Sequence, residues 1–228
     1  MSPVNTTLHS VCARWLGLIL SLVLLALGAQ AKPSDWTADI DQLTQADAAH
    51  PPAPHGIVFV GSSSIRMWET LESDFPGLPV IRRGFGGSEL ADSVYYLDRL
   101  VIAYQPKMVV LYAGENDITA GKTPETVAAD FHAFRMKLHA ALPATKIFYL
   151  AMKPSPSRWA LHEKFQRGNA LIAAECAGDP RLTFVDVYTA LLGPDGLPRA
   201  ELYRPDMLHM KHAGYEIWTR LLTPLLKP

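Results

Sequence analysis

Five short apolar runs, separated by longer amphipathic stretches, limit what this chain can fold into. The runs cover 57–60, 80–81, 108–112, 147–151 and 183–187, and the amphipathic stretches cover roughly 88–104, 124–141, 158–177 and 212–225. A short run rich in β-branched and aromatic residues reads as a buried strand, and residues recurring at helical spacing read as a helix. Strands that alternate with helices pair in parallel, because each helix returns the chain to the starting edge of the sheet. With right-handed crossovers, the simplest product is an α/β chain. It would be a three-layer α/β/α sandwich on a five-stranded parallel sheet, flavodoxin-like in plan. Met108-Val-Val-Leu-Tyr112 has the near-continuous apolarity of a strand buried on both faces.

The helix signals agree. Thr123-Pro124-Glu125 supplies an N-cap, a proline in the first turn and an early acid. Val127, Phe131, Phe134 and Leu138 then repeat as a core face. Gly178-Asp179-Pro180 ends the next helical stretch. A shorter helix is expected over 36–49, followed by the Pro51-Pro52-Ala53-Pro54 link, packed on the outside of the domain.

Residues 1–31 read as a secretory signal peptide. Arg14 precedes an apolar run from Trp15 to Ala29, and Ala29-Gln30-Ala31 offers small residues for cleavage. The run is about 15 residues, short of the about 20 that a membrane span needs, and an uncleaved anchor is the other reading. Residues 32–228 are then expected to form a single exported domain, periplasmic or secreted, with no stable membrane span after cleavage. Only Cys176 would remain, so the domain must rely on its core and not on an internal disulfide. A net charge of −1, with no basic stripe, argues against a nucleic acid partner.

The chemistry gathers where strands end. Gly61-Ser62-Ser63-Ser64 follows the first run, Gly84-Phe85-Gly86-Gly87-Ser88 the second, Gly114-Glu115-Asn116-Asp117 the third and Asp206-Met207-Leu208-His209 the fifth. In a parallel sheet these loops share one edge. A hydroxyl, a glycine-rich backbone, an amide and an Asp/His pair at one crevice have the parts of an acyl-transfer site.

In order and spacing, the four blocks resemble the SGNH, or GDSL-like, hydrolase superfamily over nearly all of residues 32–228. The runs Phe59-Val-Gly-Ser-Ser-Ser-Ile-Arg-Met-Trp68 and Leu208-His-Met-x-x-x-Gly-Tyr215 resemble those of small bacterial relatives of platelet-activating-factor acetylhydrolase. The resemblance implies that Ser63 is the nucleophile, His209 its base and Asp206 the group that orients the imidazole. It implies an oxyanion hole from the N–H groups of Ser63 and Gly87 and the amide of Asn116, each donor worth about 3–4 kcal/mol of barrier. The expected activity is hydrolysis of small, short-chain or acetyl esters, with no metal and no cofactor. It would be lost as His209 is protonated, at about pH 6–7. An acyltransferase acting on envelope glycans with the same triad, or a non-catalytic binding module, are the alternatives. The chain departs from the family pattern at Ser62, where Asp is common, at Ser64, where Leu or Ile is common, and at Glu115, where Asp is frequent.

Other motifs fail on spacing. Glu89 stands where a dinucleotide fingerprint starting at Gly84 needs its last glycine, and Ile65 where a Gly-x-Ser-x-Gly elbow needs its own. Asp206, His209 and His212 have a spacing open to a metal, but His-Glu-x-x-His is absent, since Gln166 follows His162-Glu163 at the last position, and His212 is read as capping or solvating the last helix. Substrate contacts are expected from Phe85 and from the 153–158 loop, with Lys153 and Arg158 its charged members. Trp68, Trp159 and Tyr203 lie near enough in sequence to line the same crevice or to pack in the core, and Arg66 either greets an anionic or sugar substrate or lies on the solvated surface. Asp117 is expected to be structural, bonded to the serine loop.

Overall fold

The computed structural model describes residues 35–227. The expected signal peptide lies outside the described residues. In chain order, α1 (Thr37–Ala49) precedes β1 (Ile57–Gly61), α2 (Ser63–Arg66), β2 (Val80–Gly84), α3 (Leu90–Tyr95), β3 (Met108–Tyr112), α4 (Glu115–Thr119), α5 (Pro124–Ala141), β4 (Lys146–Leu150), α6 (His162–Ala177), β5 (Leu182–Val185) and α7 (His212–Leu222). Further single turns of helix fill Leu71–Asp74, Leu97–Leu100 and Val187–Ala190.

All five strands pair in parallel, in the order β2-β1-β3-β4-β5. This is the expected α/β sandwich. Phe131 of α5 meets Tyr149 of β4, and Trp218 of α7 meets Tyr112 of β3, with ring centroids 5.2 and 4.8 Å apart. Tyr149 is in register with Leu111, so it and Tyr112 point to opposite faces of the sheet. Helices α5 and α7 therefore cover different faces, which is why β1 and β3 are apolar throughout.

The sequence signals set the boundaries unevenly. Helix α5 begins where expected, with the Thr123 side chain accepting the Thr126 N–H at 3.1 Å. Strand β2 runs three residues past its apolar pair, through Arg82 and Arg83. Arg83 is buried because Asp47 takes its guanidinium at 2.6 and 2.7 Å and Tyr104 accepts from its Nε at 3.0 Å. The expected helix over 88–104 is broken at Tyr96 and Val101, where the backbone leaves helical values. Cys176 is buried on α6, and burial pushes its thiol up to about 12.

An aromatic cluster fixes the end of the sheet that carries the site. Trp68 stacks on Tyr215 at 5.0 Å and meets Phe59, Phe75 and Trp218 within 5.7 Å. The Tyr215 hydroxyl donates to the Ser64 carbonyl at 2.9 Å, so α7 is pinned to α2. The same contacts put Trp68 in the core and not in the crevice. Among the described residues no helix is long and apolar enough to cross a membrane.

Candidate active site

Three serines follow β1, and the fold separates them. Ser62 is 4% exposed and its N–H continues the ladder to the Tyr112 carbonyl at 3.0 Å. Ser64 is 2% exposed. Ser63 lies between them in the first turn of α2, where a backbone N–H has no carbonyl one turn earlier to bond. Its Oγ is 3.0 Å from His209 Nε2, across 146 residues of sequence.

His209 Nδ1 is 2.7 Å from Asp206 Oδ2. A ring nitrogen that faces a carboxylate carries the proton, which leaves Nε2 as the acceptor toward Ser63. The other carboxylate oxygen, Oδ1, accepts the N–H groups of Leu208 and His209, each at 2.9 Å. Burial raises the Asp206 pKa, but the imidazole and the two amides outweigh it and hold the carboxyl at about 2. Met207 has a φ of 54°, and this left-handed residue closes the turn. Arg204 clips the loop shut, its N–H donating to the His209 carbonyl at 2.7 Å and its Nε to the Met210 carbonyl at 3.2 Å.

The glycine turn after β2 packs directly on α2. A Cβ at Gly84 would lie 2.1 Å from the Arg66 backbone nitrogen, so only glycine permits this approach. Gly87 has a φ of 85° and is exposed. Asn116, on α4, reaches this turn, its Nδ2 donating to the Ser88 carbonyl at 2.9 Å. Its Oδ1 accepts from Arg158 Nη2 at 3.0 Å. Ser63, Gly87 and Asn116 thus follow β1, β2 and β3 at one sheet edge.

Asp117 anchors the same turn, though to a different segment from the one expected. Its carboxylate accepts the Leu90 N–H at 3.1 and 3.0 Å and Lys122 Nζ at 3.1 Å, so it ties the glycine turn to α4 and not to the serine loop. Burial pushes its pKa up to about 6, against the lowering pull of Lys122 and the Leu90 amide. Lys122 also reaches Glu89 at 2.9 Å and Asp130 at 3.2 Å.

Two expected substrate contacts are corrected by burial. Phe85 is 1% exposed and packs edge-on against Trp36 and Tyr96. Lys153 is also 1% exposed, its ammonium 2.8 Å from Glu115, whose carboxylate also receives the Tyr112 hydroxyl. Tyr203 is likewise in the core, donating to the Pro154 carbonyl. The 153–158 loop is therefore a brace. Lys153 holds Glu115, Arg158 holds Asn116, and the Ser157 N–H donates to the Met207 carbonyl at 3.1 Å. Trp159 stacks on His162, and the exposed Arg66 guanidinium lies over Gly86.

One residue beside the site was invisible in the sequence. A Cβ at Gly87 would lie 3.4 Å from Trp36 Cη2, so this half-buried indole flanks the glycine. The 36–49 helix reads as an outer element, and a single tryptophan at its start carries no motif. Its packing on Phe85 brings it to the site.

A family model of GDSL-like lipases and acylhydrolases matches residues 58–217, a span that holds Ser63, Gly87, Asn116, Asp206 and His209 but not Trp36. The chain belongs to this GDSL-like lipase/acylhydrolase family. It is accordingly a hydrolase of ester bonds. The hydrolase is 29% identical over 176 residues to the platelet-activating factor acetylhydrolase IB subunit alpha1 of Pongo abelii, covering 75% of this chain and 74% of that protein. Among solved structures it resembles a candidate platelet activating factor protein of Streptococcus pneumonia. The TM-score is 0.76 at 20% identity, over 94% of this chain and 99% of that one. It also resembles an acetyl-xylooligosaccharide esterase of Geobacillus Stearmophilus, with a TM-score of 0.60 at 15% identity over 78% and 96% of the two chains. At these identities the two structures speak for the fold.

Proposed function

We propose that this GDSL-family hydrolase is a serine esterase of small, short-chain acyl esters, acting through Ser63, His209 and Asp206. The observation that carries the reading is the unbroken line from Ser63 Oγ to His209 Nε2 at 3.0 Å and from His209 Nδ1 to Asp206 at 2.7 Å. Ser63 Oγ attacks the ester carbonyl carbon while its proton passes to Nε2. The charge that gathers on the carbonyl oxygen is met by the N–H groups of Ser63 and Gly87 and by the Asn116 amide hydrogen that Ser88 leaves free. Collapse breaks the bond to the alcohol oxygen, which leaves with the proton from His209. Water then gives a proton to His209 and attacks the acyl-Ser63 ester. Ser63 recovers that proton as the carboxylic acid departs.

The preference for short acyl groups is supported by the acetylhydrolase named as a relative. The exported location belongs to the same reading and rests on the apolar run after Arg14. Cell fractionation with N-terminal sequencing of the product tests it. The enzymatic test is hydrolysis of p-nitrophenyl acetate, butyrate and octanoate by the protein and by Ser63→Ala. Turnover should fall by at least about 10³-fold in the variant with its circular dichroism unchanged, and be highest on acetate. A folded Ser63→Ala that still turns over would overturn the assignment of the nucleophile.

A further inference from the structure

The Asn116 amide works as an oxyanion donor only if its nitrogen, and not its oxygen, faces the crevice. A primary amide is almost the same shape after a half turn, so packing does not select the orientation; hydrogen bonds do. Two bonds bear on it here. Nδ2 donates to the Ser88 carbonyl at 2.9 Å, and Oδ1 accepts from Arg158 Nη2 at 3.0 Å. A guanidinium has donors only, and a carbonyl accepts only. A flipped amide would set NH₂ against the guanidinium and oxygen against the Ser88 oxygen, losing both bonds at once. The first bond uses one amide hydrogen and leaves the second free.

The Arg158 bond has a second consequence. It is charge-assisted, and a cation held on the oxygen of an amide draws electron density away from its nitrogen, which makes the remaining N–H a stronger donor. Arg158 is also well seated for this work. It stands at a kink inside the helical stretch Pro156–Leu161, with φ of −116° and its own N–H on the Ser155 carbonyl at 3.1 Å, next to Ser157, whose N–H is fixed on the Met207 carbonyl. At the other end of the loop the buried Lys153 holds Glu115, the residue before Asn116.

We infer that Arg158 is a positioning residue for the oxyanion donor: it locks the Asn116 amide nitrogen toward the crevice and polarises it. The inference rests on the role given to Asn116 in the proposed function. It departs from substrate contact, the role the sequence gives Arg158. An arginine that bound substrate would act on KM, and chiefly on anionic esters. One that polarises a donor acts on kcat, and on neutral esters equally.

The test is a double-mutant cycle on p-nitrophenyl acetate with Arg158→Met, Asn116→Ala and both together, joined by Arg158→Lys. Circular dichroism and thermal melts accompany each variant. Arg158→Met is expected to lower kcat by roughly tenfold with KM within about twofold, the effect of one charge-assisted bond. Asn116→Ala is expected to lower kcat by about 10²–10³-fold. In the Asn116→Ala background, Arg158→Met should change kcat by less than about twofold, because its object is gone. Arg158→Lys, which keeps a charged donor, should recover part of the loss. An equal tenfold loss in both backgrounds, or a change confined to KM, would overturn the inference while leaving the esterase reading intact. An Asn116→Ala variant as active as the parent would instead remove Asn116 from the oxyanion hole and defeat the reading beneath it. If Arg158→Met does not fold, the cycle is run with Arg158→Lys, whose weaker loss must likewise vanish without Asn116.

Discussion

The Lys153 ammonium lies 2.8 Å from the Glu115 carboxylate, with side chains only 1% and 5% exposed. An ion pair out of water is costly to break from one side, because the remaining charge has no solvent to turn to. Replacing one partner alone typically costs about 3–5 kcal/mol. Lys153→Met or Glu115→Leu should therefore lower stability by that order in urea denaturation at pH 7. Lys153→Met combined with Glu115→Leu should cost clearly less than the two single effects added. Additive losses would show that the two groups are not coupled.

Asp206 sets a limit on the pH profile. Its carboxylate stays ionised down to about pH 2, so it does not titrate where the hydrolase works. It should therefore add no step of its own to the acid limb, and log(kcat/KM) should fall by no more than about one per pH unit. Asp206→Asn, which offers a weaker partner to His209 Nδ1, should lower kcat by about 10²–10⁴-fold with KM little changed. A two-proton acid limb in the parent protein would place a second titrating group in the mechanism.

Asp117 has the opposite relation to pH. Its carboxyl stands at about 6, above the ordinary value near 4, so the folded state holds the proton more tightly than the unfolded chain. Its contribution is fully present below pH 4 and is lost as pH rises through 6, of the order of 1–3 kcal/mol. Asp117→Asn should remove that fall. Urea denaturation of both proteins at pH 4 and pH 6.5 compares the slopes, and identical slopes would assign the dependence to other groups.

Gly87 and Trp36 make a further pair of tests. Gly87→Ala would put a side chain on a residue with φ of 85° and set its Cβ 3.4 Å from the Trp36 ring. A cost of about 1–2 kcal/mol in stability is expected, with a fall in kcat as the loop shifts. Trp36→Ala removes the indole that flanks this glycine. It should raise kcat/KM for octanoate relative to acetate. A chain-length profile unchanged in Trp36→Ala would place the acyl group elsewhere.

The sequence by itself determined the sheet and its loaded edge. Apolar runs of strand length separated by helical stretches admit a parallel sheet and little else, and the residues that follow the strands must then share one edge. The segments that carry Ser63 and Asn116 were legible at that edge for this reason, while the choice of Ser63 among three serines and the roles of Asn116, Asp206 and His209 came from the resemblance to the GDSL-like family. The reach of β2 through Arg82 and Arg83 was not legible, because Asp47 and Tyr104 satisfy Arg83 from distant segments. Lys153 shows the same limit more sharply. A lysine in a loop reads as exposed until Glu115, 38 residues away, is seen to neutralise it. Phe85 and Trp36 exchanged their expected places through one ring contact, and Arg158 found its partner 42 residues back on Asn116. Pattern along the chain reports which face a residue takes within its own element. Whether a charge is buried, and what it then holds, is decided by groups that only the tertiary fold brings within 3 Å.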